Sequence, residues 1–432
     1  MSSLQKCCRI ARSPSGKAPD FGSGIRRFES STGCSNPVKF SMIRYQAPAS
    51  GKILHTFKRL CVKSNLLNFT SYDLALDLIE NSSLHELLPR PDLSLEDRTK
   101  FTAMKFLRGV WARNEVSYRL RRDSKKFKVY SWMLENYSMG GLELATEQTS
   151  YDGTRKFLWT LQDGNSIESV LIPGSGKTSQ NTLCISSQVG CTMGCTFCLT
   201  ATQGLIRNLE PYEIVEQVYA VSRNHDVHKI VFMGMGEPLH NLSNLLKSIE
   251  ILTDQSGFSI SSKKITVSTS GLVPAMEELM AKTKVKLAVS LNASTNSQRS
   301  KIMPVNKKWS IHELIKALKR VVKLRPKSER ILIEYVLIAG INDHLDDAKR
   351  LVSLVEGLPI KINLIPINSH DSTSFNSPNV EQQEKFKRRL LSNGIAVTLR
   401  RSRGLDISAA CGQLKSKVIG GKLSRKYDWN NL

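Results

Sequence analysis

Between residues 181 and 400 the sequence switches repeatedly between two periods. Short apolar runs rich in Val, Ile and Leu alternate with stretches whose apolar residues recur at helical spacing. Strands are predicted at 183–187, 229–233, 265–268, 285–291, 331–337, 360–365 and 396–400. Helices are predicted at 211–222, 242–253, 273–282, 311–324, 346–356 and 380–392. Repeated strand–helix units bury their apolar faces by placing the strands in one parallel sheet with the helices outside it. Six or seven strands fall short of a full eightfold barrel of ~250 residues, so the expected fold is α/β, a partial (β/α)6 barrel. Ligands then belong at the C-terminal strand ends.

The segment 181–209, NTLCISSQVGCTMGCTFCLTATQGLIRNL, holds four of the nine cysteines. Cys191, Cys195 and Cys198 form C-x-x-x-C-x-x-C just after the first of these strands. Three thiolates on one tight loop can bind three irons of a cubic [4Fe-4S] cluster and leave the fourth iron open to an outside ligand. The competing reading is a zinc knot with Cys184 as the fourth thiolate. Cysteines crowded into one segment of a long chain do not suggest a secreted disulfide framework; a reducing compartment fits better.

Polar residues fall where the predicted strands end. KIVFMGMGEP at 229–238 closes on Gly236 and Glu237; Ser268 ends the next strand, Ser290-Leu291-Asn292 the one after, and Asn368 follows a later one. Serine and asparagine often end strands, so each is weak alone. Together they form a constellation facing the cysteine loop. Cys411, in LDISAACGQL, reads by itself as buried filler. Residues 155–173 are predicted to form a hairpin around Asp163-Gly164. Glu168 lies in its second strand, where a carboxylate ordinarily faces solvent.

Residues 1–45 are basic, Ser-rich and acid-poor, the composition of an organellar transit peptide or of a disordered basic arm. Residues 46–150 are predicted to be a mainly helical accessory region, with Ser71 and Ser94 as helix caps. Arg119, Arg121, Arg122, Lys125 and Lys126, interleaved with aromatic residues, suggest an RNA-gripping surface or a solvated helix face. Lys385–Arg389 and 400–403 carry the same two readings. The formal charge of +24 favours a polyanionic partner, nucleic acid first. No apolar run approaches the ~18 residues of a membrane span, so no membrane is expected.

TLCISSQVGC, the cysteine triplet, QGLIRNL, FMGMGEPLHNL, STSGLVPA, INLIPIN and DISAACGQL stand in that order over 152–419. The set strongly resembles the RlmN/Cfr family of radical S-adenosylmethionine (SAM) RNA adenine methyltransferases. The resemblance implies a radical SAM catalytic core at 181–432 that ends in a basic tail, with the hairpin read from the residues forming an extension at 151–180. It implies that Cys191, Cys195 and Cys198 hold the [4Fe-4S] cluster, and that Gly236, Glu237, Ser268, Ser290, Leu291, Asn292 and Asn368 hold SAM. Cys411 would carry the methyl group, Cys184 would be its transient disulfide partner, and Glu168 would accept the ring proton.

The chemistry gives each part a task. Carbon 2 of adenine cannot attack the SAM methyl group, whereas a thiolate can. A second SAM, reduced at the cluster, would supply a radical that takes hydrogen from the methyl on Cys411, and the resulting carbon radical would add to the ring. Attack by Cys184 on the Cys411 sulfur would release product and leave a disulfide to be reduced. The expected substrates are rRNA, tRNA or both. A monomer is expected, reduced by a donor such as ferredoxin or flavodoxin, in plastid or mitochondrion if residues 1–45 are a transit peptide and otherwise in the cytoplasm. Two alternatives stand beside this reading: a Cfr-like carbon-8 methyltransferase and a non-catalytic Fe–S RNA-binding assembly factor. Asn292 stands where many bacterial members have histidine.

Overall fold

The computed structural model describes residues 64–113, 124–138, 140–174, 179–326, 328–368 and 373–415. The proposed transit segment and the basic residues Arg119, Arg121 and Arg122 lie outside them.

The first elements are β1 (Ser64–Asn65), α1 (Ser71–Glu80), α2 (Leu95–Arg113), α3 (Lys125–Asn136) and β2 (Tyr137–Ser138), with β2 parallel to β1. Leu66, Leu74, Leu78, Phe106, Leu107, Val129 and Met133 form their own buried core. Ser71 is not the cap of α1. Thr70 takes that place because Asp73, three residues on, completes a capping box, its carboxylate accepting from Thr70 N at 2.8 Å. Ser71 turns instead to Asp254 of the barrel. Ser94 does cap α2, its Oγ accepting from Asp97 N at 3.2 Å.

Three antiparallel strands follow, β3 (Glu143–Thr149), β4 (Arg155–Thr160) and β5 (Ser166–Ile172). The β4–β5 hairpin turns at Asp163-Gly164 as read, Gly164 taking φ 82°. β3 falls where helix was expected. It is exposed at every position, so no buried face marks it in the sequence, and its ladder to β4 holds it.

The remaining elements are β6 (Thr182–Cys184), β7 (Gln188–Gly190), β8 (Leu205–Asn208), α4 (Pro211–Ser222), β9 (Lys229–Phe232), α5 (Leu242–Thr253), β10 (Ile265–Thr269), α6 (Val273–Lys282) and β11 (Lys286–Ser290). After them come α7 (Asn296–Ile302), α8 (Ile311–Lys323), β12 (Ile331–Leu337), α9 (Leu345–Val355), β13 (Ile360–Pro366), α10 (Val380–Leu391) and β14 (Ala396–Leu399). One ten-stranded sheet runs β14-β13-β12-β11-β10-β9-β6-β5-β4-β3, parallel from β14 to β6 and antiparallel beyond. The partial barrel is therefore open, and the hairpin extends its sheet: Val170 of β5 pairs with Cys184 of β6.

Strands such as β12, with Ile331, Ile333, Tyr335 and Leu337 buried, belong to the main core together with helix residues such as Leu314 and Leu318 of α8. α8 begins in a Ser310–Glu313 capping box and buries Ile311, Leu314, Ile315, Leu318 and Val321 at i, i+3, i+4 spacing. Each fully buried Leu there contributes about 1.5–3 kcal/mol. The first predicted strand stops early, at Cys184. Ser186, just past β6, commits its hydroxyl to the neighbours on either side, donating to Glu168 O of β5 at 2.6 Å and accepting from Met235 N, beyond β9, at 2.9 Å.

Candidate active site

The cysteine loop leaves the barrel through β7 and returns through β8. Three backbone bonds pin it: Cys191 N donates to Gly204 O (2.8 Å), Thr196 N to Ile302 O (3.0 Å) and Leu199 N to Gly412 O (2.7 Å). The last ties the Cys198 end of the loop directly to the segment carrying Cys411. Cys191, Cys195 and Cys198 all line one cleft, together with Gly236, Glu237, Ser268, Ser290, Asn292, Asn368 and Cys411.

The strand ends are organised before any ligand arrives. Gly236 has φ 98°, and a Cβ there would lie 2.5 Å from Gln188 Cβ, so glycine is required by Gln188 packed behind it. Gln188 Oε1 accepts from Glu237 N at 2.8 Å. The Glu237 carboxylate, expected to meet a cationic amine, already accepts from Leu239 N (3.1 Å) and Ser270 N (2.7 Å), and burial raises its pKa. Asn292 Oδ1 accepts from Val336 N at 2.8 Å, joining the ends of β11 and β12. Asn368 Nδ2 donates to Cys411 O at 3.1 Å. Leu291 is buried and does not line the cleft; its N–H donates to Glu334 O at 3.0 Å.

Cys184 stands apart from the triplet. It lines a second, adjoining cavity with Cys411, Met233, Asn368, Arg400 and Arg403. Cys411 lines both cavities. The fourth-ligand role weighed for Cys184 has no support from this placement. Burial pushes the Cys184 thiol up to about 12, with Cys411 adding to the effect. Burial likewise raises Cys191, Cys195 and Cys198.

Glu168 departs from the expectation of a solvent-facing carboxylate: it is only 6% exposed. Its side chain lines neither cavity. Oε2 accepts from Lys415 N at 2.9 Å, and Oε1 lies 3.3 Å from Lys156 Nζ. Burial raises the Glu168 pKa and Lys156 pulls it back. The basic stretch 400–403 divides. Arg400 points inward, its charge favoured first by Cys411 and then by Glu334, while Arg401 is exposed. Lys385 and Lys387 are engaged on α10 with Glu381 and Glu384. Lys125 donates to Glu86 O at 3.3 Å.

Sequence reasoning missed Lys156, Arg299, Glu334 and the inward aim of Arg400. Glu334 had a signal, a lone acid inside ILIEYVL; its Oε1 accepts from Asn363 Nδ2 at 3.0 Å, while Oε2 is buried with no hydrogen-bond partner among the described residues. Arg299, in NSQRSKI, had none.

The donor set suits a cubic cluster, with three thiols from one loop facing a cleft whose other wall is polar strand ends. Metal binding would deprotonate the thiols, overcoming the raised pKa values that burial imposes. Among the described residues no three Cys, His, Asp or Glu side chains could hold a single metal ion. A cube asks for a different arrangement, one thiolate at each of three irons.

The fold and this cleft define a radical SAM enzyme, whose cofactors are a [4Fe-4S] cluster and SAM. The sequence model of the radical SAM superfamily matches residues 185–352. A crystal structure of a radical SAM methyltransferase from Sphaerobacter thermophilus superposes with a TM-score of 0.71 at 35% identity, covering 81% of this chain and 99% of that one. The dual-specificity RNA methyltransferase RlmN of Geotalea uraniireducens is 54% identical over 280 residues, 65% of this chain and 80% of that protein. RlmN of Geobacter sulfurreducens is 48% identical over 321 residues, 74% and 88% of the two chains. RlmN of Nitratiruptor is 39% identical over 349 residues, 77% and 98%. The chain belongs to the RlmN family. The Nitratiruptor match is too long to fit within 152–419, so the likeness reaches back into the helical region, where the sequence motifs did not extend.

Proposed function

We propose that this protein methylates carbon 2 of an adenine in rRNA, tRNA or both, with Cys411 as the methyl carrier. The observation that carries the reading is the position of Cys411, on the wall shared by the cleft of the cysteine triplet and the cavity of Cys184. One sulfur is thereby open to a methyl donor on one side and to a second thiol on the other. Cys191, Cys195 and Cys198 hold the cluster, which when bound supplies the electron that cleaves SAM. Gly236, Glu237, Ser268, Ser290, Asn292 and Asn368 line the space for SAM, and Leu291 supports that wall from behind, its backbone bonded to Glu334 O and Arg299 Nε. Cys184 resolves the Cys411 adduct by thiol–disulfide exchange, its raised pKa requiring loss of a proton at that step. The family resemblance gives the ring proton to Glu168, which lines neither cavity itself and is kept ionisable by Lys156.

Exposed Arg401 and partly exposed Arg403, at the rim of the Cys184 cavity, are placed to meet the phosphates of an extruded nucleotide. The dual specificity in the relatives' names supports more than one RNA substrate. The basic, acid-poor first 45 residues support import into plastid or mitochondrion. Reduction by a ferredoxin or flavodoxin and a monomeric state complete the reading. Among the described residues no helix is long and apolar enough to cross a membrane.

The test is nucleoside mass spectrometry on organellar rRNA and tRNA incubated with reconstituted protein, SAM and a reductant, beside Cys411→Ala. The expected result is 2-methyladenosine from the wild type and no released product from the variant. An 8-methyl product, or an unmethylated Cys411 in the wild type, refutes the proposal.

A further inference from the structure

Arg299 of α7 is the largest side chain buried to within 2% exposure, and it is itself 0% exposed. Its donors are spent on neutral acceptors. Nε donates to Leu291 O (3.0 Å), Nη2 to Ser270 O (2.5 Å) and Ser290 O (3.1 Å), and Nη1 to Asn306 Oδ1 (3.3 Å) and Trp309 O (3.5 Å). No ion pair joins it to a carboxylate among the described residues. A guanidinium stays charged, and a buried charge is ordinarily paired with another. Carbonyl oxygens satisfy its hydrogens but leave its charge without a counterpart.

Cys195 of the triplet lies within electrostatic reach of Arg299. The backbone joins the two regions as well: Thr196 N, next to Cys195, donates to Ile302 O at the end of α7. Two of the Arg299 acceptor residues, Ser270 and Ser290, line the same cleft as the triplet. Three thiolates give an oxidised [4Fe-4S] cluster a net negative charge, and the electron it accepts adds another. An anion of that kind beside Arg299 is what the protein's own carboxylates do not provide.

We propose that Arg299 is the built-in counter-charge of the cluster, a positioning residue that raises the cluster's reduction potential and so eases the electron's arrival. The inference rests on the cluster reading above. In a low-dielectric interior a fixed cation near the redox centre favours the more negative, reduced form. The same guanidinium holds the ends of β10 and β11 together, so the test must separate charge from shape. Asn306→Asp does this, placing a carboxylate at the acceptor position 3.3 Å from Nη1 while leaving the arginine in place.

The experiment is a redox titration followed by EPR on full-length protein reconstituted with iron and sulfide, for wild type, Arg299→Gln, Arg299→Lys and Asn306→Asp. Iron and sulfide are counted in each sample. Arg299→Gln and Asn306→Asp are expected to lower the reduced-to-oxidised ratio at a fixed poise at least tenfold, 59 mV for a one-electron couple. Arg299→Lys, keeping the charge, is expected to stay close to wild type. An unchanged potential in Asn306→Asp overturns the proposal, as does an equal shift in the lysine and glutamine variants. Should the glutamine variant fail to fold, Asn306→Asp decides alone. A wild type that builds no cluster overturns the cluster reading itself, and the iron count identifies that outcome.

Discussion

Gly236→Ala is the sharpest test of how the cleft is built. The added Cβ would sit 2.5 Å from Gln188 Cβ, 2.7 Å from its Cγ and 2.9 Å from its backbone N. None of these is the far end of a flexible side chain, so the β7 backbone must move. The φ of 98° adds strain for any residue with a Cβ. A left-handed backbone costs about 1–2 kcal/mol, and overpacking a filled site about 1–3 kcal/mol. The sum of about 2–5 kcal/mol corresponds to a Tm lower by roughly 4–20 °C at ~2–4 °C per kcal/mol.

The damage also reaches function. Gln188 Oε1 positions Glu237 N, and Gln188 Nε2 donates to Asn208 Oδ1 at 2.7 Å, so a displaced Gln188 moves the Glu237 end of the cleft. SAM affinity of the reconstituted protein, measured by equilibrium dialysis, should fall about tenfold or more, since ~1.4 kcal/mol of misplacement suffices. Gly164→Ala is the control. It has φ 82° but open space where its Cβ would go, so it carries strain without the clash. Equal melting temperatures for the two variants, with unchanged SAM affinity in Gly236→Ala, would refute the packing argument.

Three further outcomes are expected. Lys156→Met removes the cation that favours the ionised form of Glu168, so the acid limb of the pH–rate profile for product formation moves to higher pH. Glu168→Gln loses about 10²–10⁴-fold in the step that takes the ring proton, and an unmoved acid limb in Lys156→Met would separate Lys156 from that step. Glu216, buried, accepts from Gly141 N (3.0 Å) and Leu142 N (3.1 Å), and burial raises its pKa to about 7. A carboxyl raised above its unfolded value near 4.5 contributes stability fully present below pH 4.5 and lost as pH rises through about 7. Wild type should therefore lose up to about 3 kcal/mol over that window, relative to Glu216→Gln. Parallel Tm-against-pH curves for the two proteins would contradict this.

Several helices were legible to the residue because local rules agree there. α4 begins at Pro211 in the first-turn position a proline tolerates, and α8 begins in the Ser310–Glu313 box. Strand ends drifted by a residue or more where side chains compete for the backbone, as at Ser186. β3 was not legible at all, because a fully exposed edge strand has no apolar alternation to show.

By itself the sequence determined the parallel barrel order, the cysteine triplet and the polar strand ends, since period, spacing and turn chemistry act over a few residues. Only the tertiary structure decided which thiols share a wall. Cys184 and Cys411 stand 227 positions apart, and nothing local sets one against the other. Tertiary packing also buried Glu168 against Lys156, turned Arg400 inward and enclosed Arg299 among carbonyls. The physical reason is the same each time: burial and charge depend on everything packed around a group, which the residues beside it in the chain do not specify.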